Sequence, residues 1–517
     1  MTWRLARHVL ASTSLLLGFA QVGLAQDVPN RSALAHPVAF AAAAGHVGSS
    51  PFSPPEEDDT LFVVDQGSGL DTGCTFRGGG PLSIHLLIKR VVGPVTSDGT
   101  LREAAALVAQ GLVSAKIHLF IPAFDIDVNG APGVPPESDR ISFNGHDLGT
   151  LTGDNGIWKL NQFDVPVEWV KFPAPVPAGS TPTAADNLIQ INIDELSAPE
   201  ENWCMAVDWA QAEFGAVAPI FLVHGTNAQS DTWQPHFTTF FGSQLALWSN
   251  DINLAANGSI LGNGQLLANR LTQLAASFGA KKCHIIAHSK GGLDTRAYLN
   301  NQYDPTQLKV LSVYTLSSPH HGTIESDIIV AKRTHTNPES TNADIKYLID
   351  HDYSFVSTPE EPAIGDQTTG SMAAFNALYP AVPGAVRFYN YGADADLNNN
   401  GTIQANETAE LLPSFLPNSS LAAAGTAMYR ALGSVAAIKV TVGTRPGRLW
   451  GTNTFTSIEV APANGPFQLN DLVVTETSAH SPSGTYVGSR DANHSSMKTE
   501  ALAREILDRI KAEFPAQ

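Results

Sequence analysis

The chain has 517 residues, of which 43% are hydrophobic and 15% charged, and its formal charge is −19. That balance excludes a disordered chain and leaves material for two or three cored domains. A surface this acidic repels nucleic-acid backbones and anionic membranes, so nucleic acid is excluded as a partner.

The opening stretch MTWRLARHVLASTSLLLGFAQVGLAQ reads as a secretory signal peptide over residues 1–25. Arg4 and Arg7 make a basic start, Val9 to Ala20 is apolar, and Gly23-Leu24-Ala25 offers the small residues a signal peptidase reads. The apolar run is too short for a comfortable membrane span, and no later segment is apolar enough, so no transmembrane anchor is expected. The protein is expected to be secreted, to the periplasm or the medium. Residues 26–55, rich in Ala, Ser and Pro, read as a linker. In an oxidising compartment Cys74 and Cys204 are able to pair, whereas Cys283, inside an apolar run, reads as a small buried hydrophobe.

Residues 56–214 alternate with period two in LSIHLLIKRVV, AKIHLFIPAFDIDV, DRISFNG, NLIQINIDEL and CMAVDWAQAEF. Side chains alternate across a strand, so these are strands with one buried face. Hairpin turns are predicted at Asn144-Gly145 and at Asp154-Asn155-Gly156. Together they predict a β-sandwich. It resembles, loosely, the accessory modules appended to exported bacterial enzymes, for which a polymer or surface is the expected ligand.

The pattern changes at residue 215. APIFLVHG is a continuous apolar strand, and GQLLANRLTQLAASFG carries a helical stripe of Leu266, Leu267, Leu271, Leu274, Ala275 and Phe278. KCHIIAH, a helix from Gly291, and LKVLSVYTLSS come next. Strands alternating with helices predict a mostly parallel sheet covered on both faces, running to residue 517. The last helix, ALAREILDRIKAEF, presents Leu502, Ile506 and Ile510 on one side.

Ser289 stands where a buried strand turns into a helix, with Ala287 two residues before it and Gly291 two after. Small residues are needed at both places because a tight strand-to-helix turn crowds them, and such a turn makes a serine hydroxyl protrude. The usual pattern has glycine at both positions; alanine at 287 still meets the steric demand. The helix start directs N–H groups toward the hydroxyl. Further up the chain, IFLVHGT ends a strand at His224-Gly225-Thr226. The backbone N–H groups of Thr226 and Lys290 are the expected oxyanion hole, and His224 reads as a packing residue.

Two stretches, 323–385 and 408–436, are longer than connections need, and they are lid candidates. In the second, Leu411, Leu412, Phe415, Leu416, Met428 and Leu432 read either as an apolar wall over Ser289 or as core. DLNNNGTIQANE fits the twelve-residue calcium loop. Asp396, Asn398 and Asn400 take positions one, three and five, Gly401 turns the chain, Thr402 offers its carbonyl, and Glu407 closes the loop. Two carboxylates predict a modest, structural Ca2+ site.

The pieces VHGT, GQLLANRLTQLAASFGAKKCHIIAHSKGGLDTRAYL, LSSPHHGT, TTGSMAAFNALYP, NDLVV and ANHSSM occur in an order that resembles the true lipases of Pseudomonas and Burkholderia type, within the α/β-hydrolases. The resemblance covers roughly the last 300 residues. It implies a Ser-acid-His order, with His494 of the DANHSSMKTE loop as base and Asp471 of QLNDLVV as acid. His320, His321, His351 and His480 stay open as rival bases, and Asp394 and Asp396 as rival acids. The family's own calcium aspartate, two residues after its histidine, is Ser496 here, so that site is not carried over.

The expected protein is a secreted serine ester hydrolase, a lipase or carboxylesterase, acting on lipid or polyester. A polyester depolymerase or short-chain esterase with the same residues is the nearest alternative. A non-catalytic surface binder acting through the β-sandwich is the more distant one.

Overall fold

The computed structural model describes residues 48–54, 61–65, 74–88, 95–130, 136–174, 183–196, 204–245, 248–278, 280–351, 362–412, 414, 416–447, 452–462 and 465–516. The signal-peptide reading and most of the linker reading lie outside them, as do the side chains of Phe278 and Phe415.

Among the described residues the front part is antiparallel throughout. Its strands are β1 (Leu61–Asp65), β2 (Thr75–Phe76), β3 (Leu82–Ile88), β4 (Val113–Phe124) and β5 (Arg140–Phe143). They continue with β6 (His146–Thr150), β7 (Trp158–Pro166), β8 (Ala185–Asn192), β9 (Cys204–Val207) and β10 (Ala210–Ala216). Helix α1 (Ala104–Ala109) interrupts the series. One sheet runs β1-β10-β4-β9-β2 with β7 also on β4, and the other runs β3-β8-β5-β6. The alternation predicted for these strands is met by burial: Ile84, Leu86 and Ile88 of β3 and Ile117, Leu119 and Ile121 of β4 point into one shared apolar cluster. A disulfide joins Cys74 to Cys204.

The two predicted turns differ in what they do. Asn144 (φ 49°) and Gly145 (φ 82°) make the two-residue turn between paired β5 and β6. The Asp154–Gly156 turn is not a hairpin: β6 pairs with β5 and β7 with β4, so it carries the chain from one sheet to the other. The tip residue Gly156 donates its N–H to the Asp125 carboxylate, which fixes that crossing.

The remaining strands and helices alternate as expected. They are β11 (Ile220–Val223), α2 (His236–Gln244), β12 (Trp248–Ser249), α3 (Ile260–Phe278), β13 (Lys282–His288), α4 (Lys290–Asn301) and β14 (Lys309–Leu316). Next come α5 (Ile324–Thr334), β15 (Pro338–Glu339), α6 (Ala343–His351), α7 (Pro362–Asp366), α8 (Thr369–Leu378) and β16 (Arg387–Asp394). The chain closes with α9 (Asn418–Ser434), β17 (Val435–Pro446), β18 (Thr452–Pro462), α10 (Glu476–Ala479), β19 (Thr485–Asp491) and α11 (Glu500–Glu513). The main sheet runs β12-β11-β13-β14-β16-β19, and every pair in it is parallel. Its central strands are buried on both faces, which is why they read as unbroken apolar runs. Leu267 and Leu271 of α3 pack on one face with Ile285 and Val313, while Leu502, Ile506 and Ile510 of α11 pack on the other.

No gap separates the front sheets from this sheet. A single apolar cluster contains Ile191, Phe214 and Val217 together with Ile220, Leu222, Phe237 and Ile286. Residues Gly45 to Gln517 accordingly form one compact unit. Ahead of the strands, Ser50 donates its N–H to Asp208 (2.8 Å) and Phe52 accepts the Trp209 indole N–H (3.1 Å).

The segment 408–436 is largely core. Helix α9 buries Leu421, Ala424, Met428 and Tyr429 against Ile403, Leu412 and Leu472, so Leu412, Met428 and Leu432 are packing residues rather than an open wall over Ser289. In 323–385, α8 buries Met372 on Ile260, Leu293 and Ala297. No described helix is long and apolar enough to cross a membrane.

Candidate active site

Ser289 follows the last residue of β13 and precedes the first of α4 with φ 54° and ψ −132°. A non-glycine residue there stores about 1–3 kcal/mol of backbone strain, which the surrounding fold must hold. The surroundings are built for it. A Cβ on Gly225 would fall 2.6 Å from the Ser289 Cβ and 3.2 Å from its Oγ. One on Gly291 would meet the His224 carbonyl oxygen at 2.5 Å, and one on Gly292 would strike the Ser318 side chain. Three glycines therefore let strand β11, the elbow and the loop after β14 close on one another. Ala287 is fully buried in the same place, which explains why a methyl is tolerated there.

Close approach at Gly225 brings the Ser289 hydroxyl beside the segment leading to Thr226. The Thr226 side chain accepts a hydrogen bond from Gln367 Nε2 (2.8 Å), and Gln367 is tied to Ala363 O and Thr323 N–H (both 2.9 Å). Lys290 opens α4, so its N–H has no acceptor within the helix. His224 is fully engaged: Nε2 accepts the Leu254 N–H (3.0 Å) and Nδ1 donates to Gly225 O (3.0 Å). Burial lowers its pKa, so it stays neutral and braces the turn.

The Lys290 side chain turns inward. Its ammonium contacts both oxygens of Asp294 (2.8 and 2.9 Å), and Asn263 adds a third bond (3.0 Å). Burial pushes the Asp294 carboxyl up to about 6 despite the lysine. Removing one partner of a buried pair strands the other's charge, at a cost of about 3–5 kcal/mol. Lys290→Met is therefore expected to lower the denaturation free energy by about 3 kcal/mol, and adding Asp294→Leu is expected to recover most of it. Urea unfolding of the single and double variants checks both steps.

Asp471 and His494, 23 residues apart, are joined directly: His494 Nδ1 donates to Asp471 Oδ2 (2.8 Å). A second link runs from the His494 N–H to Asp471 O (2.9 Å). The other carboxylate oxygen of Asp471 accepts the N–H groups of Val473 (2.9 Å) and Val474 (2.7 Å). A fully buried carboxylate is only an acceptor here, so the imidazole carries its proton on Nδ1 and leaves Nε2 as the basic nitrogen.

The histidine loop lies on the serine turn. His288, the residue before Ser289, bonds through Nε2 to His494 O (2.7 Å), and the two rings stand 4.7 Å apart. Burial holds the His288 pKa well below the usual imidazole range, so it donates as a neutral ring. No hydrogen bond joins the Ser289 hydroxyl to the His494 ring. Such contacts commonly tighten only when substrate is bound.

The rival residues are occupied elsewhere. His320 is buried between Thr315 (3.2 Å) and Arg296 (3.5 Å). His351 bonds Tyr347 O (2.9 Å), and His480 packs its ring against Tyr486. His321 is exposed beside Asn376. Asp394 accepts the Tyr429 hydroxyl (3.0 Å) and the Asp396 N–H (3.3 Å).

In the loop 396–407, Asp396 accepts the N–H groups of Asn400 (3.1 Å) and Gly401 (2.6 Å), and Gly401 has φ 73°. Asn398 Nδ2 lies 2.8 Å from Glu407 Oε1, Glu407 Oε2 accepts the Gln404 N–H (2.6 Å), and Asn400 accepts the Thr402 N–H (2.8 Å). Both ends of the loop thus meet. The oxygen-only donor set fits a hard cation, although each carboxylate is already engaged by the loop itself. Among the described residues, no three His, Cys, Asp or Glu side chains form a metal-holding group. Asn493, next to His494, donates to Glu407 O and Ala409 O (both 2.9 Å), which ties this loop to the histidine loop.

No local pattern in the sequence announces Gln367, His288 or Asn493. Each acts through a contact spanning 80 residues or more.

The serine with positive φ thus sits at a tight strand-to-helix turn in a parallel sheet, the geometry that makes a serine hydroxyl protrude. No family model matches the chain, and no curated protein matches it. Among solved structures, the mature lipase BlEst2 of Bacillus licheniformis is similar at 18% identity, covering 57% of this chain and 91% of that one, with a TM-score of 0.36. Staphylococcus hyicus lipase is similar at 14% identity, 57% and 97% coverage, and a TM-score of 0.35. Lipase 1 of Pelosinus fermentans stands at 14%, 56% and 98%, with 0.34. Likenesses this faint carry no argument about activity.

Proposed function

We propose that this chain is an exported serine ester hydrolase, similar in motif order to the true lipases of Pseudomonas and Burkholderia type. The observation that carries this is the strained Ser289 turn bonded, through His288, to a loop whose histidine is already paired with a buried aspartate.

In this reading Ser289 Oγ attacks the ester carbonyl carbon while His494 Nε2 takes its proton. The carbonyl oxygen becomes an oxyanion between the Thr226 and Lys290 N–H groups. Collapse breaks the ester C–O bond, and the leaving alkoxide takes the proton from His494. Water repeats the sequence on the acyl-enzyme and releases the acid. Asp471 holds the tautomer throughout. The test is hydrolysis of p-nitrophenyl esters from acetate to palmitate, with a polyester film and a triglyceride emulsion alongside. Saturable turnover on at least one series supports the reading, and the preferred chain length separates lipase from short-chain esterase or depolymerase. No turnover on any of them would favour the non-catalytic binder.

Calcium belongs to the proposal as a structural ion at Asp396, Asn398, Asn400, Thr402 and Glu407. It would neutralise the two carboxylates and stiffen the loop that Asn493 grips. The calcium-induced rise in melting temperature is expected to be about 2–4 °C smaller in Glu407→Gln than in the parent. Equal rises in calorimetry would remove the ion from that loop.

A further inference from the structure

The front sheets hold a second group of acids that the hydrolase reading does not use. Three loops meet at one end: Asp125-Ile-Asp127-Val-Asn129-Gly130 after β4, Glu137 and Asp139 before β5, and Asp194 after β8. Glu137, Asp139 and Asp194 are 3%, 0% and 0% exposed. Isolated carboxylates are almost never buried so deeply unless something pairs with them.

The bonds account for only half of the pair at the centre. Glu137 Oε2 accepts the Asp127 N–H (2.9 Å), and Asp139 Oδ1 accepts the Asp194 N–H (2.7 Å). The other oxygens, Glu137 Oε1 and Asp139 Oδ2, are buried with no donor. The two acids stand two residues apart on the segment leading into β5, clamped between the turn at Asp127 and the turn at Asp194. Arg77 contributes a cation, but toward Asp194 (3.3 Å).

The adjoining turn has a pattern of its own. DIDVNG reproduces the first six positions of an oxygen-donor calcium loop: Asp at one and three, Asn at five, Gly at six. Gly130 has the left-handed φ (60°) such a turn requires. Its main chain is locked to the acid pair, because Asp127 O accepts the Glu137 N–H (2.9 Å).

We propose that Glu137 and Asp139 are ligands of a second divalent-cation site, for Ca2+, at this end of the front sheets, separate from the loop at 396–407. The donors are all oxygen, with no Cys or His among them, which selects a hard cation over zinc or copper. The pair is not a finished cage as it stands. Asp125 or Asp127, main-chain carbonyls and water complete the six to eight oxygens that calcium takes. The ion would staple the three loops and so hold the edge formed by β4, β5 and β8. The alternative occupant of the spot is a proton shared between the two carboxyls.

The experiment separates the two. The full-length mature protein, carrying Asp396→Asn to silence the other loop, is dialysed against 45Ca2+ and melted with CaCl2 or EGTA. The expected result is one bound ion and a calcium-induced rise of about 5 °C at a hundredfold excess over Kd. Adding Glu137→Gln and Asp139→Asn should remove both the ion and the rise. No bound calcium in the Asp396→Asn protein overturns the proposal, and leaves the shared proton, even if the triple variant fails to fold. So does an ion retained by a folded triple variant.

Discussion

Ser289→Ala is expected to lower kcat on any ester substrate by roughly a million-fold while leaving the melting temperature within about a degree of the parent. In the proposed mechanism the hydroxyl is the atom that bonds to the acyl group, so nothing replaces it. Its removal costs the fold little, because no hydrogen bond from Ser289 Oγ holds the turn. The strain at φ 54° belongs to the backbone and survives in alanine. Ser289→Gly relieves it and is expected to stabilise the protein by about 1–2 kcal/mol with the same loss of activity. Gain in stability alongside loss of rate is the signature of a residue held in a costly conformation for chemistry. A Ser289→Ala protein that retains more than about a hundredth of the parent kcat would place the nucleophile elsewhere.

The second large effect is at Asp471. Asp471→Asn keeps the shape and one carbonyl oxygen, which still accepts the Val473 and Val474 N–H groups. The amide NH2 then faces His494 Nδ1, where the carboxylate oxygen was. Two donors cannot meet, so the ring moves its proton to Nε2, and the nitrogen that should accept the serine proton is blocked. A fall in kcat of about ten-thousandfold is expected, with KM little changed. Asp394→Asn is the control. Asp394 bonds Tyr429 rather than a histidine, so a change of only a few-fold is expected. Steady-state kinetics on one soluble ester decide between them, and the reverse ranking would move the acid to the end of β16.

These two residues also mark how far the sequence alone reaches. The serine turn is legible because its causes are local: an apolar strand, small residues at 287, 291 and 292, and a helix behind. The same holds for the closing helix, where Leu502, Ile506 and Ile510 recur at helical spacing. His494 and Asp471 are reachable only through order along the chain, and their bond is a fact of folding. Gln367, His288 and Asn493 lie beyond that method, since each is defined by a partner supplied from another loop. The Asp154–Gly156 turn reads as a hairpin because turn chemistry fixes the bend but not which sheet the next strand joins. The α9 apolar residues look the same in sequence whether they cover a pocket or fill a core. Only the packing against Ile403 and Leu472 separates the two. The acid pair at Glu137 and Asp139 sits in an ordinary polar stretch ahead of β5, and its significance appears only when an oxygen of each is seen to be buried without a donor.

The central claim is that Ser289 and His494 work as one unit. The most direct measurement is covalent labelling by a fluorophosphonate, read by intact mass and by the modified peptide. One adduct on Ser289 is expected, formed at least a thousandfold more slowly in His494→Ala and absent in Ser289→Ala. Labelling at another residue, or an undiminished rate without the imidazole, would contradict it.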